Sequence, residues 1–174
     1  TFILGTAEGG KKILLTGVNE LDQHIGDADE MNEYYFKTIH HEFTHILNQT
    51  KEYTASFQLI TGTGYVADSW SDAPFDSDYL KRGFISAYSQ YSHEEDMAEM
   101  QSMYICHSPE QWQAWMEEAG PEGARLLNAK LDIVRAYLLT AWNIDIDTLR
   151  DVLQRRQVDV VAGRVDMGEH LFEN

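Results

Sequence analysis

The stretch His41-Glu42-Phe43-Thr44-His45 decides how this chain is read. Its form is H-E-x-x-H. On a helix of about 3.6 residues per turn, positions i and i+4 share a face, so both histidines can point at one metal ion. Glu42 projects beside them, where a carboxylate can take a proton from water that the metal activates. The flanks favour a helix from about residue 30 to 49. Asp29 or Asn32 can cap its start, and Glu30 and Glu33 suit the dipole of its first turn. Phe36, Ile39, Phe43, Ile46 and Leu47 recur at helical spacing, which predicts an apolar face turned to the core and away from the histidines.

The rest of the chain reads outward from this helix. Before it, the short apolar run Ile13 to Val18 predicts a strand, within a generally extended segment 1–19, and the polar residues 20–29 read as loop. After it, glycine, proline, Asp and Ser mark turns through residues 51–76, where Tyr53, Phe57 and Tyr65 fit short strands or a short helix, and such a segment after the motif is placed to form a cleft wall. A turn or two of helix over 77–83 closes at Gly83. Ser92 caps a helix from His93 to about His107. Ser108-Pro109 starts another, which stops at Gly120. Pro121 opens a long helix to about Trp142, with Leu126, Leu127, Leu131, Val134, Leu138 and Leu139 as its apolar face. Asp145 or Asp147 caps the last helix, to about Val161, and a tail follows. No repeat or linker divides the chain. The expected fold is α+β and mostly helical, a single zincin-like domain over residues 1–174 with a small sheet.

Composition narrows the function. The net charge of −16 argues against nucleic acid and against docking on an anionic membrane, because both need clustered Lys and Arg. No stretch approaches the ~20 apolar residues of a membrane span. Cys106 is the single cysteine, which excludes an internal disulfide and a multi-cysteine zinc site. It lies in the apolar run Met103 to Cys106 and reads as a core residue. The abrupt opening at Thr1 suggests a mature or excised piece of a longer polypeptide.

Two histidines leave a catalytic zinc one protein ligand short. After His45 the next histidine is His93, so a carboxylate from a separate helix is the expected third ligand. Glu95 and Glu99 share a helix face at i, i+4. Glu95 can bind the metal, while Glu99 accepts a hydrogen bond from a ligating histidine. The helix dipole alone explains Glu94 and Asp96, but not Glu99 in the helix interior. Ala98 is small enough to let the two helices approach. His24, His40, His93, His107 and His170 read as structural. Trp112, Trp115 and Trp142 read as core, and Trp70 as a residue that could touch substrate.

With these residues in place, the pair of motifs resembles the gluzincin class of zinc metallopeptidases. The second segment is similar to that of the anthrax lethal factor catalytic domain, Glu-x-x-Ala-Glu with a tyrosine seven residues before the first Glu. That resemblance implies Glu95 as third ligand and Tyr88 as a donor to the oxyanion, with Tyr91 the competing tyrosine. Over more of its length, through His-Glu-Phe-Thr-His-Ile-Leu-Asn-Gln and Glu-Asp-x-Ala-Glu, the chain resembles the zinc-binding metallopeptidases found as lipoproteins in Bacteroidetes-type bacteria, often beside glycan-import systems. The resemblance implies Zn²⁺, a peptide or glycopeptide substrate, export on an upstream lipid anchor to the cell surface or periplasm, and association with a nutrient-import complex. Two alternatives stand beside peptide hydrolysis: a non-catalytic zinc-containing component of such a complex, and a zinc amidohydrolase acting on glycopeptides. The intact Glu42 argues against the first.

Overall fold

The computed structural model describes residues 4–66 and 77–164. Strands β1 (Gly5–Glu8) and β2 (Lys12–Leu15) form an antiparallel hairpin with Gly5 opposite Leu15 and Glu8 opposite Lys12. Gly9 and Gly10 both take positive φ at its turn, a conformation most side chains resist. The Gly10 amide donates to Gln49 Oε1 at 2.6 Å, which pins the turn to the histidine-bearing helix. The strand stops at Leu15, short of the expected Val18, because Gly17 (φ 72°) turns the chain into a 3-10 turn, Val18–Glu20.

Residues 20–29 are not plain loop. They hold a helical turn α1 (Leu21–His24) and the start of α2 (Ala28–Met31). Asp27, not Asp29 or Asn32, caps α2, its Oδ1 accepting from the amides of Asp29 (2.9 Å) and Glu30 (3.0 Å). A π-helical turn, Asn32–Phe36, joins α2 to α3 (Lys37–Thr50) without a break. The expected apolar face of α3 is also corrected. Ile39 is 37% and Phe43 43% exposed, and of that stripe only Leu47 is buried. The buried stripe carries Thr38, His41, Glu42 and Thr44 instead, so α3 turns its polar, histidine-bearing side inward.

That inward side meets α5 (His93–Cys106), the most enclosed helix of the fold, which also packs against the two C-terminal helices. Ser92 caps it through the Glu95 amide. Met97, Ala98, Met100, Ile105 and Cys106 are fully buried. Because α5 is covered on several sides, it lacks the one-sided pattern of a surface helix. Before it, α4 (Ser56–Thr61) buries Phe57 completely, and a 3-10 segment, Ser77–Arg82, ends at Gly83 (φ 81°). Another 3-10 turn, Tyr88–Gln90, leads into the Ser92 cap.

Helix α6 (Pro109–Trp142) is capped by Ser108 and broken at Gly120 (φ 68°, ψ 178°), so it consists of two helices meeting at Gly120-Pro121. Its second part buries Leu127, Leu131, Val134 and Leu138, each contributing about 1.5–3 kcal/mol by leaving water. Leu139 departs from the expected face and is exposed, because the stripe has rotated past it. Asn143 in the left-handed conformation ends the helix, and Asp145 caps α7 (Ile146–Val161). The result is a mostly helical α+β domain with a two-stranded sheet.

Helix α6 and segment 77–82 touch backbone to backbone. A Cβ at Gly123 would sit 2.4 Å from the Leu80 carbonyl oxygen and 2.9 Å from Lys81 Cα. Gly123→Ala is therefore expected to lower stability by about 1–3 kcal/mol, since backbone cannot yield as a flexible side chain does. Urea unfolding of the two proteins measures it.

Candidate metal centre

His41 and His45 rise from one face of α3, one turn apart, with ring centroids 4.9 Å from each other and Nε2 atoms 3.1 Å apart. Glu95, in the first turn of α5, places Oε2 2.9 Å from His41 Nε2 and 3.2 Å from His45 Nε2. Three ligand atoms from two helices thus converge on one point, all within 4.8 Å of one another. Tetrahedral donors about 2.0–2.1 Å from a zinc ion lie about 3.3 Å apart, so nitrogen, nitrogen and oxygen at this spacing fit that ion.

Glu99, one turn beyond Glu95 on α5, stands behind His41. His41 Nδ1 donates to Glu99 Oε1 at 2.8 Å, which orients the ring so that Nε2 faces Glu95 and His45. Glu99 is in turn held by the Ser86 hydroxyl at 2.7 Å and by the Lys37 ammonium at 3.9 Å. Burial pushes the Glu99 carboxyl up, but Lys37, His41 and Ser86 outweigh it and hold the group at about 2. Glu95 follows the same logic: burial raises it, and hydrogen bonds from both histidines bring it to about 2. Burial lowers His41, yet the carboxylates on its two sides raise it to about 9, so without a metal the ring keeps two protons.

Glu42 lies beside these ligands, buried, with its carboxyl raised by burial and partly offset by His41 and His45. Strand β1 lies directly on it. A Cβ at Gly5 would come within 2.8 Å of Glu42 Cγ and 2.9 Å of Thr38 Cγ2, so only glycine permits this approach. The cluster opens into a cavity of about 820 Å³. Gly5, Thr6 and Ala7 form one wall, and Glu52, Tyr53, Ala55 and Gln58 contribute from the segment after α3.

Tyr88 also lines the cavity, 5.9 Å from the His41 ring and hydrogen-bonded to Glu95. Burial and the nearby Glu95 push its hydroxyl well above the ordinary tyrosine range, so it stays a proton donor. Tyr91 stacks on Tyr88 at 6.0 Å and is not among the cavity-lining residues. Four groups were not singled out from the residues alone: the β1 wall, Ser86, Lys37 and His93. His93, read as structural, lines the cavity with Nδ1 2.7 Å from the Tyr53 hydroxyl. No local signal marks Ser86 or Lys37, whose roles come from partners 13 and 62 positions away. Asp96 is not merely a dipole-complementing residue: it is fully buried against Lys130. The signal was Lys130 itself, a lone charge within the apolar stripe Leu127–Leu131–Val134. Trp70, His170 and the tail lie outside the described residues.

Among proteins of known structure the chain is similar to a metallo-peptidase from Bacteroides caccae that carries the same description as the family below. The two share 36% identity with a TM-score of 0.79 over 95% of this chain and 62% of that one. This chain therefore spans about 62% of that protein's length. No curated protein matches it. A family model described as "Putative zinc-binding metallo-peptidase" matches residues 1–147, a stretch that contains the whole His41–His45–Glu95 cluster. Matched over most of its length, the chain belongs to this family of zinc-binding metallo-peptidases.

Proposed function

We propose that this domain is a zinc-dependent peptidase of the gluzincin type, zincin-like in fold, that hydrolyses peptide bonds with water. The observation that carries the reading is the convergence of His41, His45 and Glu95 on one point with the buried Glu42 beside them in an open cavity. A purely structural metal site has no use for that fourth group. Membership in the family supports zinc as the ion.

His41, His45 and Glu95 are the residues that hold the ion. Zinc bound there supplies a Lewis acid for the scissile carbonyl and lowers the pKa of water. Glu42 takes a proton from the attacking water as its oxygen bonds to the carbonyl carbon. Its raised affinity for protons lets it carry that proton to the departing amine as the C–N bond breaks. The Tyr88 hydroxyl donates to the oxyanion that develops on the carbonyl oxygen. Glu99 holds the His41 ring in place throughout. The peptide or glycopeptide substrate and an exported, lipid-anchored setting belong to the same proposal and rest on the family resemblance.

The test is cleavage of a diverse peptide and glycopeptide library by the zinc-loaded protein. Cleavage that stops on chelation and in Glu42→Gln supports the reading. Intact library members in the presence of confirmed bound zinc overturn it.

Zinc binding should also depend on pH in a specific sense. Zinc needs neutral imidazole, and His41 keeps its extra proton up to about 9 in the metal-free protein. Below that pH each zinc displaces one proton from His41, so affinity rises as pH rises. Between pH 6 and 8 the dissociation constant is expected to fall about tenfold per pH unit. Chelator competition at three pH values reads the slope, and a flat profile contradicts the assignment of His41.

No helix among the described residues is long and apolar enough to cross a membrane.

A further inference from the structure

A second charged cluster joins α5 to α6. Lys130 of α6 and Asp96 of α5 form an ion pair in which both side chains are fully buried, Nζ to Oδ2 2.5 Å. The same ammonium donates to the Gly83 carbonyl at 2.7 Å and faces the Phe84 ring at 4.2 Å. Asp96 also accepts the Tyr65 hydroxyl at 2.7 Å. Removing two charges from water is costly, and apolar side chains of similar volume fill such a space without that cost. Stability alone therefore does not account for the pair.

Its connections do. Asp96 follows Glu95 in sequence, and α5 is a rigid helix. Any rotation of α5 that pulls Asp96 from Lys130 swings Glu95 through the same angle. The second contact runs to the other side of the site. Gly83 approaches α6 so closely that a Cβ there would lie 2.6 Å from Leu126 Cβ, and Leu126 is one turn before Lys130. From Gly83 the chain passes through the buried Phe84 and Ile85 to Ser86, which holds Glu99, and to Tyr88, which bonds Glu95. One ammonium thus ties together the helix of the third ligand and the segment that braces it. Apolar packing sets how near two elements lie, whereas directed hydrogen bonds also set their angle.

Building on the proposed zinc site, we infer that Lys130 and Asp96 are positioning residues, whose buried pair holds Glu95 at the angle that metal binding requires.

The experiment compares the wild type with Asp96→Asn/Lys130→Met, a double variant of similar shape that removes both charges and the Lys130 hydrogen bonds to Asp96 and Gly83, alongside each single variant. Thermal unfolding, zinc affinity by chelator competition and the absorption spectrum of the Co²⁺-substituted protein are read together. The expected result is a folded double variant with an unchanged or raised thermal midpoint, zinc affinity weakened about tenfold and an altered Co²⁺ spectrum. A folded double variant with wild-type zinc affinity and Co²⁺ spectrum overturns the inference, because a structural role moves only the thermal midpoint. If the double variant does not fold, Tyr65→Phe takes its place. It removes only the hydroxyl that Asp96 accepts, and an unchanged Co²⁺ spectrum there is equally fatal. A wild-type chain that binds zinc no more tightly than His41→Ala refutes the underlying functional reading, an outcome distinct from either of these.

Discussion

Glu42→Gln is expected to retain zinc and lose hydrolysis, with kcat falling by about 10²–10⁴-fold, the usual contribution of a positioned general base. Glutamine has the shape of glutamate, so the close packing of Gly5 on the Glu42 side chain is preserved. The three ligand atoms belong to other residues and stay where they are. What disappears is the ability to accept a proton from water and return it to the amine. The amide neither gains nor releases a proton near neutral pH. Steady-state kinetics with the best library peptide, together with zinc content by metal analysis, separates the two functions. Turnover retained within a few-fold of wild type would remove Glu42 as the base. Loss of zinc together with turnover would recast it as a structural support of the site.

Glu95→Ala is expected to weaken zinc binding by about 10²–10³-fold. Zinc sites of this kind bind with roughly 10 kcal/mol or more, so loss of one of three protein ligands removes about a third of that. The fold should survive. Glu95 opens a helix whose cap, Ser92, uses the Glu95 backbone amide and not its side chain. Its loss also frees His41 of one of the carboxylates that raise it, so the pH dependence of zinc binding should shift to lower pH in the variant. Chelator competition at pH 7 and circular dichroism decide the matter. Unchanged affinity in a folded protein would place the third ligand elsewhere.

How much of this was legible without coordinates depends on the range of the interaction. Ser92, Ser108 and Asp145 cap their helices, and Gly120-Pro121 breaks α6, because capping and backbone geometry are settled within a few residues. The i, i+4 spacing that puts both histidines on one face is local in the same sense. The inner face of α3 was not legible. Its sequence offers two stripes, one with Ile39 and Phe43 and one with Thr38, His41 and Thr44, and the first looks more like core. Burial follows from what lies opposite, and α5 brings to the second stripe two carboxylates that bond the His41 ring from both sides. The small β1 wall was missed for a related reason: nothing in Gly-Thr-Ala announces that it will lie on Glu42.

By itself, then, the sequence determined that one helix carries two histidines on one face with a glutamate beside them, that a second helix carries Glu95 and Glu99 one turn apart, and where most helices start and stop. These follow from helical periodicity, side-chain capping and the φ limits of glycine and proline. Only the tertiary structure decided that Glu95 meets both histidine Nε2 atoms, that Glu99 is held from behind by Ser86 and Lys37, and that Lys130 is buried against Asp96. Each of these contacts joins residues that chain distance keeps apart, and each exists because packing excludes the water that would otherwise solvate those charges.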